Sequence, residues 1–344
     1  MKVLFVGDLS SYARAKQRFE VMQELGYLVE GLASFIPETG RLKNYRPSMW
    51  SRIRHKIGYP LDSMHINEKL IPALTNFQPD VLWIEKTNTV FLSTYKKIRQ
   101  AFPQIKIVYY SEDDIYMPRN RSAYLTRSLP IFDAVFTTKP RNVKELPKLG
   151  VRRVVCVFKA YNQSFHRPIV LSTEEQTIWG ADVSFVGTFE EDRYEKMLFL
   201  AAHGIKVRVW GKGWQKYQNK HPNLLVEAKL VLNEDFIKVI NATLINLNFL
   251  RKINRDRHTA RSVEIPACQG FMLTERTDEH SQLFEEGKET EFFDSQEELL
   301  SKVQYYLEND KNRLDIAKAG RQRCLDSGYS HHARLQFIFG KIFP

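Results

Sequence analysis

Residues 255–273 read RDRHTARSVEIPACQGFML and join a polar entrance to an apolar helix and strand. The small and apolar residues from Val263 to Cys268 predict a packed helix, and Gly270 is typical of a helix end. The apolar run that follows this glycine predicts a short buried strand. A helix followed at once by such a strand is one repeat of an α/β fold with a parallel sheet.

The same alternation of apolar strands and amphipathic helices runs along the rest of the chain. Strands are predicted at 2–7, 27–34, 80–85, 105–111, 133–138 and 153–158, and again at 182–187, 205–211, 224–228, 243–249, 271–275 and 289–293. Apolar strands separated by helices form parallel sheets that are covered on both faces. The predicted fold is therefore α/β, with two Rossmann-like doubly wound domains facing a cleft.

These repeats also predict the domain boundaries. The N-terminal domain is expected at 1–165, the C-terminal domain at 166–328, and a last helix at 329–344 is expected to pack back toward the N-terminal domain. Residues 161–176 are polar and lack a clear period, so they are predicted to form the linker. A chain of 344 residues is also long for a single domain.

The positive charge of the chain is concentrated in its first half. Residues 1–165 contain 26 Lys and Arg against 14 Asp and Glu, a net charge of +12, whereas residues 166–344 contain 25 against 26. This asymmetry indicates an anionic partner for the N-terminal half, such as membrane headgroups, nucleic acid or an acidic glycan. A generally basic surface is the alternative explanation.

The composition also predicts where the protein acts. No apolar run is long enough to span a membrane, and the first residues predict a strand rather than a signal peptide. The cysteines are isolated, without a CxxC pair, which argues against disulfides and a zinc site. We therefore expect a cytoplasmic protein. The cysteines are Cys156, Cys268 and Cys324.

The loops that follow the predicted strands supply candidate binding residues, because ligands of open parallel sheets bind beyond the carboxyl ends of the strands. These loops are rich in glycine, charged and amide residues. The substrate-binding candidates among them are Gly7, Asp8, Gly187, Lys212 and Asn248. The first loop lacks a full GxGxxG motif, so a dinucleotide cofactor is not indicated.

The polar entrance of the 255–273 stretch predicts a site for an anion. Free N–H groups at a helix start bind phosphate, and Arg257 and Arg261 can add charge-assisted hydrogen bonds. One turn further in, the carboxylate of Glu264 can accept two vicinal hydroxyls, such as those of a ribose. Compensation of the helix dipole is the alternative role for this acid.

Several motifs resemble those of GT-B glycosyltransferases, and specifically the spore-maturation (CgeB-type) glycosyltransferase-like family. They are FVGTFEEDR (185–193), HTARSVEIPACQGFMLTE (258–275), and LFEEGKETEFFDSQEEL (283–299) leading to YYLEND (305–310). The N-terminal segments YYSEDD and FDAVFTTKPRNVKEL fit the same family. The resemblance implies a nucleoside-diphosphate sugar as substrate, no cofactor and no metal.

The resemblance also implies roles for individual residues. Related retaining enzymes carry an E-x7-E motif, whose first acid contacts the donor sugar and whose second acid holds the ribose. Asp256 and Glu264 match this spacing, with Asp in place of the first Glu. Arg261 and the Thr259 region would then face the diphosphate. In FVGTFEEDR, Arg193 matches a basic residue near the donor phosphate, with an ordinary turn and a solvated arginine as the alternative.

Two tryptophans flank the Gly turn of WGKGW (210–214). A glycine turn allows close approach of the backbone to a base or phosphate. Trp210 or Trp214 is therefore a candidate for stacking on the nucleobase. Packing in the core is the alternative for both.

The loop SEDDIYMP (111–118) places three acids directly after an apolar strand. Asp113, and next Glu112, are candidates for accepting the proton of an acceptor hydroxyl or for positioning substrate hydroxyls. A solvated acidic turn is the alternative. Lys86 and Lys139 can meet an acidic acceptor, although each is also typical of an ordinary surface.

The stretch 41–60, RLKNYRPSMWSRIRHKIGYP, is basic and contains no acid. A helix from Pro47 onward would place Met49, Trp50, Ile53 and Ile57 on one side, as in an interfacial helix for anionic lipid headgroups. A short helix packed on its own domain is the alternative. Basic and aromatic residues also suit nucleic acid, but no recognised nucleic-acid-binding motif accompanies them.

These features predict a glycosyltransferase that uses a nucleoside-diphosphate sugar held by the C-terminal domain. The acceptor is expected to be a glycan, a lipid-linked molecule or another anionic molecule held by the N-terminal domain. Retention of configuration is favoured over inversion. Three alternatives remain open: a DNA glycosyltransferase, a nucleotide-sugar epimerase, and an inactive sugar-binding or spore-coat protein.

Overall fold

The computed structural model describes residues 1–35 and 48–343 and divides the chain into two compact units. The N-terminal unit is Met1–Phe158 together with the chain from His331 onward, and the C-terminal unit is Lys159–Ser330. The division after Phe158 falls before the position expected from the sequence. The last helix belongs to the N-terminal unit.

The N-terminal unit contains a parallel sheet in the order β2-β1-β3-β4-β5-β6. All neighbouring strands in it run parallel, and β1 lies between β2 and β3. The strands are β1 (Lys2–Gly7), β2 (Leu28–Ala33), β3 (Val81–Glu85), β4 (Lys106–Ser111), β5 (Ala134–Thr137) and β6 (Val154–Cys156). The apolar runs of β1, β3 and β4 are buried on both faces, as central parallel strands require.

Helices cover both faces of this sheet. Those of the N-terminal unit are α1 (Arg14–Glu24), α2 (Met49–Lys56), α3 (Ile66–Phe77), α4 (Leu92–Ala101), α5 (Ala123–Ser128), α6 (Pro140–Glu145) and α14 (His331–Ile342). The core on one face includes α1 and α14, and Phe339 of α14 lies 4.6 Å from the Tyr27 ring and 6.0 Å from the Trp83 ring. This packing explains why the end of the chain returns to the first sheet.

The C-terminal unit repeats the architecture with a parallel sheet in the order β12-β11-β10-β7-β8-β9. Its strands are β7 (Ala181–Val186), β8 (Val207–Trp210), β9 (Leu224–Val226), β10 (Thr243–Asn248), β11 (Met272–Glu275) and β12 (Glu291–Phe293). Its helices are α7 (Thr173–Trp179), α8 (Glu191–Ala202), α9 (Asn233–Ala242), α10 (Arg261–Ala267), α11 (Asp278–Leu283), α12 (Gln296–Glu308) and α13 (Asp310–Asp326). The predicted α/β fold with two Rossmann-like domains is confirmed in these two units.

The predicted linker 161–176 was wrong in part, because α7 begins inside it. Ser172 caps this helix, and Glu175 returns a hydrogen bond to the backbone of Ser172. This reciprocal capping box stabilises a helix that has no buried residue. The Ser-x-x-Glu sequence is typical of a helix start. The helix was not predicted because residues 161–176 lack a hydrophobic period.

Neither unit provides a membrane-spanning segment within the residues described. Over 1–35 and 48–343, no helix is both long and apolar enough to cross a bilayer. The basic stretch 41–60 lies partly outside the described residues, since 41–47 are not among them. Its remainder forms α2, in agreement with the helix predicted there.

Candidate functional site

The C-terminal unit brings several predicted substrate-binding loops to one edge of its sheet. The strands β11, β10, β7 and β8 are parallel neighbours, so their carboxyl ends lie side by side. Gly187 follows β7, Lys212 follows β8, and Asn248 ends β10. The entrance to α10, which carries Thr259 and Glu264, follows β10 on the same side.

The loops after β7 and β8 are fixed to each other by a close backbone contact. Gly211 has a φ of 148°, and a Cβ at this position would overlap the carbonyl group of Gly187. Trp214 Nε1 donates to the same carbonyl oxygen over 2.8 Å. Trp210 and Trp214 are fully buried, so base stacking was the wrong alternative and core packing is the observed role. Lys212 is exposed between them.

Arg193 ties the loop after β7 to the loop after β10. Its side chain is almost completely buried and donates to the carbonyl oxygens of Thr188, over 2.8 Å, and Leu250, over 3.0 Å. Burial lowers the pKa of Arg193, while Glu190 partly opposes this effect. The solvated-arginine alternative was therefore wrong. The guanidinium is directed at protein carbonyls, so an influence on the donor phosphate would act through the shape of this loop.

A buried hydrogen-bond network fixes the entrance to α10. Asn248 Nδ2 donates to the hydroxyl oxygens of Ser262 and Thr274, each over 3.1 Å. Thr259 donates from Oγ1 to Asn248 Oδ1 over 2.9 Å and from its backbone N–H to Ser262 Oγ over 3.0 Å. Because each polar group has a partner, this network favours one conformation of the entrance.

His280 completes the network from the following helix. Its Nδ1 lies 2.7 Å from the carbonyl oxygen of Glu275, and its Nε2 lies 2.7 Å from Ser262 Oγ. Burial lowers the pKa of His280 to about 4, so the ring is neutral at neutral pH. Nδ1 must then donate to the carbonyl, which leaves Nε2 to accept the hydrogen of Ser262.

Glu264 lies in the first turn of α10 and is 2% exposed. One of its carboxylate oxygens is paired with Arg261, and Oε1 lies 3.9 Å from His166 Nε2. The Arg261 guanidinium also lies 3.9 Å from the centre of the Phe236 ring. The two predicted donor ligands, Arg261 and Glu264, are thus neighbours that neutralise each other.

His166 is oriented toward Glu264 by a local hydrogen bond. The backbone N–H of Asn162 donates to His166 Nδ1 over 3.0 Å. In the neutral ring the proton must then reside on Nε2, the nitrogen that faces Glu264. The sequence analysis missed His166 because it lies in the predicted linker, far from Glu264 along the chain.

The remaining polar residues of the entrance are also held in place. Asp256 is buried and accepts a hydrogen bond from Asn254 Nδ2 over 3.0 Å. Arg257 pairs with Asp278 over 2.9 Å. Asp256 and Arg257 therefore lie at the same entrance as Glu264. Their contacts with a donor stay predictions.

His258 holds the entrance from its other side. The backbone N–H of Lys159 donates to His258 Nε2 over 3.1 Å, and Nδ1 pairs with the carboxylate of Glu279. Since Nε2 accepts, Nδ1 carries the proton that faces Glu279. This histidine was quoted within the sequence motif but was not predicted to have a role.

The first loop of the N-terminal unit begins the turn into α1. Gly7 ends β1, and a Cβ at this position would lie 2.8 Å from the Phe5 ring. Asp8 Oδ1 accepts hydrogen bonds from the backbone N–H and the hydroxyl of Ser10, over 3.2 and 2.7 Å. Both predicted residues therefore shape this turn, and their contact with substrate remains a prediction.

Glu112 belongs to an ion-pair network at the carboxyl ends of β3 and β4. Arg18, on α1, pairs with the buried carboxylate of Glu85 and donates from Nη1 to Glu112 Oε1 over 2.8 Å. Arg14 donates to the other oxygen of Glu112 over 2.8 Å. Burial alone would lower the pKa of Arg18, but the negative charges of Glu85 and Glu112 raise it well above the ordinary value. For Glu112, the solvated-turn alternative was therefore wrong.

Asp113 remains partly exposed beside this network. Its carboxylate pairs with Lys86 Nζ over 2.6 Å. The third acid, Asp114, is buried and accepts a hydrogen bond from the backbone N–H of Tyr116. Lys139 is 3% exposed, so the alternative of an ordinary surface lysine was wrong. Asp113 is therefore the most accessible acid of the loop and the one that Lys86 orients.

Most of the second unit and part of α14 resemble a known family in sequence. The family model described as "Glycosyl transferase-like" matches residues 193–340, a range that includes the whole α10 entrance. No curated protein matches the chain in sequence. Residues 193–340 thus resemble a glycosyltransferase domain, in line with the predicted function, whereas the narrower CgeB-type assignment stays a prediction.

Solved structures match the fold of the whole chain at low sequence identity. Sucrose-phosphate synthase from Thermosynechococcus elongatus has a TM-score of 0.67 at 11% identity, covering 100% of this chain and 99% of that one. Anabaena HepE in complex with UDP has a TM-score of 0.62 at 11% identity, covering 99% of each chain. An α-glucosyltransferase in complex with UDP and a 13-mer DNA has a TM-score of 0.63 at 11% identity, covering 100% of both. The fold is therefore that of the GT-B glycosyltransferases.

Proposed function

We propose that the chain transfers a sugar from a nucleoside-diphosphate sugar, and that the C-terminal unit binds this donor at the entrance to α10. The observation that carries the proposal is the adjacency of Arg261 and Glu264 at a helix start fixed by a buried network. A cation for the diphosphate and a carboxylate for the ribose hydroxyls are the two groups that such a donor needs.

Donor binding at this position requires Arg261 and Glu264 to separate. The Arg261 side chain is 30% exposed and can turn toward solvent, whereas Glu264 is almost completely buried. We propose that the diphosphate replaces Glu264 as the partner of Arg261 and that the ribose hydroxyls then bind the released carboxylate. His166 would keep Glu264 in position during this exchange, because its Nε2 proton faces the carboxylate.

The nucleoside is proposed to be uridine. HepE and the α-glucosyltransferase, two proteins of the same fold, were both solved with UDP. These two proteins are the support for uridine. Asp256 is the residue proposed to face the sugar, because its spacing from Glu264 matches the E-x7-E pattern.

We propose retention of configuration without a metal ion. In that mechanism the leaving diphosphate accepts the proton of the acceptor hydroxyl, and protein cations stabilise the developing charge. Asp113, oriented by Lys86, would position hydroxyl groups of the substrates. Among residues 1–35 and 48–343, no group of three or more His, Cys, Asp or Glu could hold a metal ion.

The acceptor is proposed to be a glycan or lipid-linked molecule that binds the basic N-terminal unit in the cytoplasm. DNA is the second candidate, because an α-glucosyltransferase of the same fold was solved with DNA and residues 1–165 carry a charge of +12. The two acceptors differ in their response to salt. DNA affinity falls steeply as salt rises, because binding releases counterions from the DNA and this release becomes less favourable in concentrated salt.

A panel of nucleotides tests the donor proposal. We expect UDP and UDP-sugars to raise the melting temperature of the full chain, because a ligand that binds only the folded state stabilises it by mass action. Uridine and UMP should act more weakly, since the Arg261 contact needs the diphosphate. An ADP effect larger than that of UDP would overturn the uridine proposal, and no effect of any nucleoside diphosphate would overturn donor binding.

A further inference from the structure

The helix α2 exposes an unusually apolar face. Met49 is 78% exposed, Trp50 62%, Ile53 42% and Ile57 61%, and no residue of the helix is buried. At 100° per residue these four side chains lie within about a quarter of the helix circumference. Within the described residues, the apolar side of this helix is therefore not packed on its own domain.

Basic side chains flank this apolar face. Arg52 and Lys56 directly precede Ile53 and Ile57 in the sequence, and both basic side chains are exposed. The His55 side chain is also exposed. The described segment 48–61 contains no acid. Long basic side chains beside an apolar stripe can extend to anionic headgroups while the stripe enters the lipid interface.

The helix is fixed to the rest of the N-terminal unit. Arg54 donates to the carbonyl oxygen of Tyr59 and to the hydroxyl of Tyr124, each over 3.0 Å. The rings of Tyr59 and Tyr124 lie 5.4 Å apart, and the backbone N–H of Ala123 donates to the carbonyl oxygen of Gly58 over 2.7 Å. These contacts hold α2 on its polar side and leave its apolar face directed outward.

We propose that α2 docks the N-terminal unit on an anionic phospholipid surface. A bilayer interface accepts Met, Trp and Ile while its headgroups pair with Arg52 and Lys56. A second copy of the chain fits less well, because a symmetric contact between two such helices would bring like charges together. Nucleic acid would pair with the basic side chains of α2 but would leave its apolar stripe in water.

Binding of the full chain to lipid vesicles, without any nucleotide, tests this inference separately from the donor proposal. We expect the chain to sediment with vesicles of phosphatidylglycerol and phosphatidylcholine and to bind vesicles of phosphatidylcholine alone much more weakly. The double variant Trp50→Ser, Ile53→Ser should lower the affinity for anionic vesicles by roughly tenfold or more. Arg52→Gln, Lys56→Gln should abolish the preference for anionic lipid.

Leu314→Ser is the matched control, because Leu314 is 62% exposed on a helix of the other unit. This variant should bind anionic vesicles as the parent chain does. Tryptophan fluorescence should shift to shorter wavelength on binding, because Trp50 is 62% exposed and would enter the lipid interface, and the Trp50 variant should lose this shift. Trp83, Trp210 and Trp214 are fully buried and Trp179 is partly buried. The proposal would be overturned if the Trp50→Ser, Ile53→Ser variant bound anionic vesicles as tightly as the parent chain. It would also be overturned if the parent chain self-associated and this double variant did not.

Discussion

Replacing Arg18 by Met is expected to destabilise the N-terminal unit by about 3–5 kcal/mol. The substitution removes the cation from the buried carboxylate of Glu85, which is 4% exposed. Glu85 would retain a hydrogen bond from Trp83 Nε1 over 3.2 Å, which cannot neutralise its charge. Urea unfolding followed by circular dichroism should show an earlier transition for Arg18→Met.

Arg14→Met is the matched control, since Arg14 belongs to the same network and its side chain is 39% exposed. An exposed ion pair contributes at most about 1 kcal/mol, so this variant should unfold almost like the parent chain. The double variant Arg18→Met, Glu85→Leu should recover much of the lost stability, because it removes the unpaired charge. Equal effects of Arg18→Met and Arg14→Met would contradict a special role for the buried pair.

Replacing Glu264 by Gln is expected to weaken UDP binding by about 10- to 100-fold, because hydrogen bonds to a charged group contribute roughly 1.5–3 kcal/mol. The amide has nearly the same shape but no charge to offer the ribose hydroxyls. Calorimetric titration with UDP measures the affinity directly. A thermal melt without ligand shows whether the variant is folded.

Glu308→Gln makes the same chemical change at an exposed position near the end of α12 and should leave UDP affinity unchanged. His166→Gln provides a second comparison. It should weaken UDP binding less than Glu264→Gln does, because His166 acts only through the carboxylate. An unchanged UDP affinity in a folded Glu264→Gln variant would remove this residue from the donor site.

The strands were predictable from the sequence because each is a short, mainly apolar run, and the central strands β1, β3 and β4 are buried on both faces. The glycine after β8 also carried a local signal, since Gly211 adopts a φ that disfavours other residues. The helices α7 and α11 are short and polar, so their hydrophobic period was too weak to detect. Their caps, at Ser172 and Thr277, were the only local signals.

The electrostatic pairing inside the candidate site could not be predicted in the same way. Arg18 and Glu85 are separated along the chain by several helices and strands, and a charged residue considered alone is typical of the protein surface. Only the parallel order of the strands brings the carboxyl end of β3 against α1. His166 and Glu264 present the same case, because a segment outside the regular repeats folds back onto α10.

Hydrogen exchange with and without UDP tests most directly whether the C-terminal unit holds the donor at the α10 entrance. The method maps protection of backbone amides on the unmodified chain, so it does not depend on any variant folding correctly. We predict the strongest protection at residues 187–193, 211–214 and 256–264. Protection confined to residues 1–158, with none at 256–264, would contradict the proposed site.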